Sequence, residues 1–368
     1  MQVPFSDLKT QYNLIASEIK EAIESVVKEC AFINGKYVQE FEARFAKFCG
    51  AKHCIGVGNG TDALFIALKA LNIGVGDEVI VPANSFVATS EAVTLTGAKV
   101  VFADCDPQTY NIDVHKIASL MTQRSKAIIP VHLYGQPADM NALQQIAHQH
   151  ELKIIQDCAQ AHGAEIDSKP LASFGDVLCF SFYPGKNLGA YGDAGAIVTN
   201  NDEIAHQVRM MANHGREAKY DHVFEGVNSR MDGIQGAILS VKLKYLNQWT
   251  HTRRKNAAYY DQLLKDAKGV VTPYVASNVK HVYHLYVIRT KKREELQQHL
   301  KTNGIATGIH YPIALPNLTA YRYLKYKQDD FPVASMYQHE VLSLPIYPEQ
   351  TYSMIEFVCE VLRRYMRK

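Results

Sequence analysis

His53-Cys54-Ile55-Gly56-Val57-Gly58-Asn59-Gly60-Thr61-Asp62-Ala63-Leu64 reads as a buried strand that turns over glycine and opens a helix. Free backbone N–H groups and the helix dipole make such a junction a site for an anion, although a plain turn has the same look. Thr61 and Asp62 have the chemistry of N-cap residues. Outward from this turn, short runs rich in Val, Ile and Phe recur at Glu78–Val81, Lys99–Ala103, Ala127–Leu133, Lys153–Gln156, Val177–Phe182 and Ala194–Thr199. Gly, Pro, Asn or Asp bound them, which reads as strands. Helical periods lie between several of them, at Asp62–Leu71, Phe86–Thr96 and Asp139–His150. That alternation predicts an α/β fold with a mainly parallel central sheet covered on both faces, whose ligand sits beyond the carboxyl ends of the strands.

Before the alternation, Asp7–Glu29 and Lys36–Phe48 read as helices. After it, Asp232–Asn247 has the period of one long helix, and Thr250–Lys265 continues helical with a basic start. Val282–Ile288 reads as a strand, Arg293–Asn303 as a helix and Tyr352–Arg367 as a closing helix. The expected division is residues 1–249, an N-terminal arm with a large domain, and 250–368, a smaller C-terminal α+β domain. A length of 368 residues agrees with two such units. With 47% hydrophobic residues, 21% charged residues and a net charge of +2, the chain is neither disordered nor basic enough for general nucleic-acid binding. It has no apolar run of membrane-spanning length and no signal-peptide start. Seven scattered cysteines without a C-x-x-C pair argue against zinc and disulfides and for a cytoplasmic protein; no metal site is expected.

The chemistry concentrates at strand ends. Asp157 closes an apolar strand and opens Cys158-Ala159-Gln160-Ala161-His162-Gly163, so its carboxylate faces a partner cation or donor, or caps the next turn. Lys186 lies in Ser181-Phe182-Tyr183-Pro184-Gly185-Lys186-Asn187-Leu188-Gly189, directly after another buried strand. A lysine held there can form a Schiff base and then serve as acid and base, whereas most lysines are solvated charges. An acid for a pyridine nitrogen, a lysine for an aldehyde and a helix N-terminus for a phosphate are together what pyridoxal 5′-phosphate requires. Phe86 offers a ring to stack on the cofactor, or packs in the core. Gly226-Val227-Asn228-Ser229-Arg230-Met231-Asp232 by itself reads only as the start of a capped helix. Arg253-Arg254-Lys255 reads as a solvated helix face or as a contact for a diphosphate.

With these motifs in order, the chain resembles the DegT/DnrJ/EryC1/StrS family of pyridoxal phosphate-dependent sugar aminotransferases nearly end to end, from Pro4-Phe5-Ser6-Asp7-Leu8 to the closing helix. The resemblance implies the fold type I, aspartate aminotransferase-like architecture and a homodimer with active sites at the subunit interface. It implies that Lys186 binds the cofactor aldehyde, Asp157 the pyridine nitrogen and Gln160 the ring oxygen, with Phe86 stacked on the ring. Gly60, Thr61 and Ser181 would hold the phosphate, and Asn228 would reach it from the other subunit. Tyr183, His310 and Tyr311 would face the sugar, although Ala314-Leu315-Pro316-Asn317 departs from the Pro-Leu-His expected downstream. The presence of Lys186, where a dehydrating branch has histidine, implies aminotransfer. Tyr183-Pro184-Gly185 and Leu133-Tyr134-Gly135-Gln136-Pro137-Ala138-Asp139-Met140 look like members that aminate C3 of dTDP-linked 3-keto-6-deoxyhexoses with L-glutamate as donor.

Besides a cofactor-free acid–base catalyst, for which nothing pairs with His162 or His310, three rivals remain at this level. A 4-aminotransferase for dTDP-4-keto-6-deoxyhexoses would carry the same cofactor motifs. A cysteine desulfurase would need a reactive thiol in a mobile loop, whereas Cys158 and Cys179 sit at strand ends. A non-catalytic nucleotide-binding α/β protein would lack the visible absorbance of the bound cofactor.

Overall fold

The computed structural model describes residues 1–367. Helices α1 (Leu8–Lys28) and α2 (Lys36–Cys49) lead into β1 (His53–Val57), α3 (Gly60–Ala70), β2 (Glu78–Pro82), α4 (Ala88–Leu95), β3 (Lys99–Ala103), α5 (Val114–Leu120), β4 (Ser125–Ile128), α6 (Met140–Gln149) and β5 (Lys153–Asp157). A small hairpin, β6 (Glu165–Ile166) and β7 (Lys169–Pro170), precedes β8 (Val177–Ser181), β9 (Gly195–Thr199) and α7 (Asp202–Met211). A second hairpin, β10 (Arg216–Ala218) and β11 (Asp221–His222), leads to α8 (Gly233–Leu243) and α9 (Leu246–Leu264). The chain ends with β12 (Val279–Lys280), β13 (Tyr286–Arg289), α10 (Arg293–Thr302), α11 (Pro332–Glu340), β14 (Val341–Leu344) and α12 (Tyr352–Met366).

Seven strands form one sheet in the order β1-β9-β8-β5-β4-β2-β3. The run from β8 to β3 is parallel, and β9 is antiparallel to both of its neighbours. Alternate residues feed two apolar clusters, as a sheet covered on both faces requires. Val79, Val81, Val100, Phe102 and Ile155 enter one cluster; Ile80, Val101, Ala103 and Ile154 enter the other with Phe41 and Phe45 of α2. A third cluster joins Tyr260, Tyr286, Leu296, Leu342, Ile355 and Leu362 around the antiparallel pair β13–β14. Ala314, Leu315, Tyr321 and Tyr337 instead pack against the large sheet.

Several boundaries differ from expectation for physical reasons. The regular strand in the run Ala127–Leu133 stops at Ile128, because Pro130 has no N–H for the ladder. The run stays at the sheet all the same: Ile129 N–H donates to Ile80 O and Val131 bridges Asp157 before a 3-10 turn at Leu133–Gly135. The long helix expected over Asp232–Asn247 is two helices. The chain tightens where Lys244 N–H donates to Val241 O and Tyr245 N–H to Lys242 O, and Tyr245 then stacks on Trp249. The strand expected from Val282 begins at Tyr286, because Val282 N–H and Leu285 N–H bond Gly135 O and Tyr134 O in the large sheet's loop. Among the described residues no helix is long and apolar enough to cross a membrane.

Candidate active site

Asp157 ends β5 and pairs in register with Cys179 of β8, so the loop after β8 that carries Lys186 starts beside it at the carboxyl edge of the sheet. Asp157 Oδ1 accepts from Ala159 N–H at 3.1 Å, and Oδ2 accepts from the Thr89 hydroxyl at 2.8 Å. Burial pushes its carboxyl above the ordinary range, against these bonds and the attraction of Lys186. Lys186 is enclosed by protein on most sides with an opening to the surface. Burial pulls its amine down to about 8, against the pull of Asp157. No salt bridge or side-chain hydrogen bond of the described structure holds its Nζ, so the amine is free for a ligand.

The Gly58–Asp62 turn closes on the same edge. Its N-cap is Asn59, two or three residues earlier than the expected Thr61 or Asp62, and its side chain accepts from Asp62 N–H at 2.8 Å. Asp62 is engaged elsewhere, accepting from the Ser229 hydroxyl at 2.6 Å while Ser229 Oγ accepts from Gly58 N–H at 3.0 Å. The first-turn N–H groups of Gly60 and Thr61 have no intrahelical acceptor. A Cβ on Gly60 would stand 2.6 Å from Cβ of Ser181, so only glycine lets the helix start approach the end of β8 this closely.

Gln160 links the site together: its Oε1 accepts from Tyr134 N–H at 2.7 Å and its Nε2 donates to the Tyr311 hydroxyl at 3.1 Å. Phe86 is 54% exposed and tilts against Tyr311 with ring centroids 5.8 Å apart, so core packing is not its role. His310 stacks on Phe5, bonds Ser343 Oγ at 2.8 Å through Nδ1, and accepts the Tyr134 hydroxyl on its carbonyl. Burial and Lys186 hold its imidazole down at about 4, a neutral ring at physiological pH. Tyr183 projects outward from the lysine loop, and Asn228 is exposed beside the packed Ser229.

Other expectations resolve differently. Arg253 is neither solvated nor turned to a ligand: it is buried in α9 and donates to the carbonyls of Ile346 at 2.8 Å and Tyr283 at 3.2 Å. Arg254 and Lys255 are exposed. Ala314–Asn317 forms a turn docked through Leu315 N–H on Ala83 O, with Ala314 and Leu315 in the core. Cys158 and Cys179 are fully buried and their thiols are pushed up, so neither is the reactive cysteine a desulfurase needs. Two residues escaped the sequence reading: Thr89, which looks like an ordinary helical threonine, and Tyr134, quoted there only within a longer motif.

These residues fit pyridoxal 5′-phosphate. A buried carboxylate with spare acceptor capacity suits a pyridinium N–H, a free amine of lowered basicity suits an aldehyde, and the Gly60 cradle suits a phosphate. A cavity of about 710 Å³ lies elsewhere, against α2 and α9, floored by Phe48, Leu178 and Phe180 and rimmed by Lys47 and Arg254. None of the buried, unpartnered polar atoms belongs to its lining, and neither Asp157 nor Lys186 reaches it.

The model of the DegT/DnrJ/EryC1/StrS aminotransferase family matches residues 13–363. The chain is 46% identical to a Geobacillus stearothermophilus protein described as a pleiotropic regulatory protein, over 100% of this chain and 99% of that one. It is also 46% identical to dTDP-3-amino-3,6-dideoxy-alpha-D-galactopyranose transaminase of Aneurinibacillus thermoaerophilus, over 99% of each. The crystal structure of DesV from S. venezuelae superposes with a TM-score of 0.98 at 40% identity, covering 100% of this chain and 99% of that one. The chain belongs to the DegT/DnrJ/EryC1/StrS family of pyridoxal phosphate-dependent aminotransferases.

Proposed function

We propose that the protein transfers the amino group of L-glutamate to C3 of a dTDP-linked 3-keto-6-deoxyhexose in amino-sugar biosynthesis. The observation that carries the reading is the pairing of buried Asp157 with the unpartnered amine of Lys186 at one sheet edge. Its extension to the sugar is supported by end-to-end identity with the dTDP-3-amino-sugar transaminase. In this reading, residues 1–249 form the arm and cofactor domain, and residues 250–368 form the smaller domain. Gly60, Thr61 and Ser181 hold the phosphate, Asp157 the ring nitrogen and Gln160 the ring oxygen. Phe86 covers the ring face, while Tyr183, His310 and Tyr311 meet the sugar. Asn228 is exposed and serves a second copy of the chain, so the working unit is a homodimer of cytoplasmic location.

Mechanism follows from the side chains. The bound cofactor supplies an electron sink that makes the proton on the amine-bearing carbon acidic. Lys186 Nζ, with its basicity lowered toward neutrality, would take that proton and deliver one to the carbon on the far side of the transferred nitrogen. Burial raises the Asp157 carboxyl, while the Thr89 and Ala159 donors favour its ionised form, and that negative charge would favour a proton on the ring nitrogen. Neutral His310 and the Tyr311 hydroxyl, fixed by Gln160, orient a keto-sugar without competing for charge.

The test is 2-oxoglutarate formation by the cofactor-loaded protein supplied with glutamate and, in parallel, dTDP-3-keto-, dTDP-4-keto- and UDP-linked 3-keto-sugars. Turnover is expected with the first, and mass spectrometry should place the nitrogen on C3. Preference for the 4-keto or the UDP-linked sugar would overturn the corresponding part of the assignment.

A further inference from the structure

Thr89 is fully buried, Ser85 is 3% exposed, and both lie on one short segment that also carries Phe86. The Thr89 hydroxyl donates to Asp157 Oδ2 at 2.8 Å, and Ser85 Oγ lies 2.8 Å from Thr89 Oγ1. A hydroxyl has one proton to give. Since the carboxylate only accepts, the Thr89 proton goes to Asp157 and Ser85 must donate to Thr89. The direction of the chain is therefore fixed, Ser85 to Thr89 to Asp157. A threonine inside a helix commonly bonds the carbonyl four residues back. Thr89 instead spends its hydroxyl proton on a residue 68 positions away, on another strand.

We propose that Thr89, backed by Ser85, is a positioning residue that fixes the plane and charge of Asp157 against the cofactor ring. The segment places Phe86 at the ring face and, through Thr89, ties Asp157 at the ring edge, so one piece of backbone sets both. Burial works against an ionised Asp157, and the largest opposing influence is the Thr89 hydrogen bond, ahead of the Ala159 N–H and Lys186. The inference rests on the assignment of Asp157 to the pyridine nitrogen.

The expected consequence is electronic as well as geometric. Thr89→Val keeps the shape and removes the donor. With Asp157 less firmly ionised, the ring nitrogen holds its proton less well and withdraws less charge, leaving the cofactor-bound nitrogen of Lys186 more basic. The pH titration of the visible band of the cofactor-loaded protein should move upward. kcat should fall by about tenfold, as loss of a hydrogen bond to a charged group implies, with KM for the sugar little changed. Thr89→Ser should restore both readouts, and Ser85→Ala should show a smaller shift in the same direction. A Thr89→Val protein that is merely less stable to heat, with its band titrating as in the parent, overturns the proposal, as does failure of Thr89→Ser to restore the titration. Asp157→Asn is the control. If it also leaves the band unmoved, the assignment of Asp157 itself falls; if it alone moves the band, only the role of Thr89 does.

Discussion

Two carboxylates are buried at opposite ends of the same set of parallel strands, and they are treated in opposite ways. Glu78, at the start of β2, receives Thr122 Oγ1 at 2.6 Å, Arg124 Nη2 at 2.8 Å and Lys99 Nζ at 3.1 Å. Burial pushes its carboxyl up, but these three donors outweigh burial and bring it to about 2. Asp157, at the end of β5, has one hydroxyl and one N–H, no cation in contact, and a carboxyl raised by burial. The first carboxylate is saturated by the chain itself and joins three strand starts. The second is left with capacity for a donor the chain does not supply. Satisfaction marks the structural end of the sheet and shortage marks the chemical end.

The contrast can be broken by substitution. Lys186→Ala should have the largest effect, lowering transamination by more than about a thousandfold, since general acid–base work alone is worth about 10²–10⁴. Full turnover without Lys186 would end the Schiff-base assignment, and circular dichroism should report an unchanged fold. Asp157→Asn should cost about 10²–10³ in turnover with little change in the urea midpoint, because the strand end keeps its shape. Glu78→Gln should do the reverse. We expect unchanged turnover and a stability loss of about 1–3 kcal/mol at pH 7, discounted for the exposed Arg124 and Lys99. The sign follows from a lowered carboxyl: the contribution is complete above the ordinary value of 4.5 and fades as pH falls toward about 2. Urea midpoints of parent and variant should therefore converge on acidification; divergence would mean that Glu78 acts by packing.

The smallest effect concerns rate profile rather than magnitude. The amine of Lys186 titrates at about 8, so borohydride-trappable attachment of pyridoxal phosphate to cofactor-free protein should rise through about pH 8. A rise deferred to the ordinary lysine range, near 10.5, would show the amine to be solvated.

The sheet and the chemical pair were legible in the sequence because both are written locally. Apolar runs bounded by Gly and Pro mark the strands, and Asp157 and Lys186 follow such runs directly. What escaped depends on contacts between distant segments. No glycine or proline announces the break at Lys244–Tyr245, which comes from tightened hydrogen bonds and the ring of Trp249. Arg253 sits in a basic triplet that reads as solvated, yet its guanidinium holds carbonyls about 30 and 93 residues away. Thr89 has the look of any helical threonine until the strand 68 residues later is folded against it.

The reversed strand β9 has a mechanical meaning. Because it returns beside β8, with Ser181 paired to Gly195, the segment that carries Lys186 leaves and re-enters the sheet through adjacent rungs of one ladder. Phe182 N–H on Ala194 O and Ala190 N–H on Phe182 O close its base further. Lys186 thus rides in a stirrup with both straps sewn to the same edge. A parallel neighbour would need a crossover to the other end of the sheet, so both ends of the segment would not be fixed to one edge. With both ends fixed in one ladder, the base of the segment is held by the sheet whatever the Lys186 side chain binds.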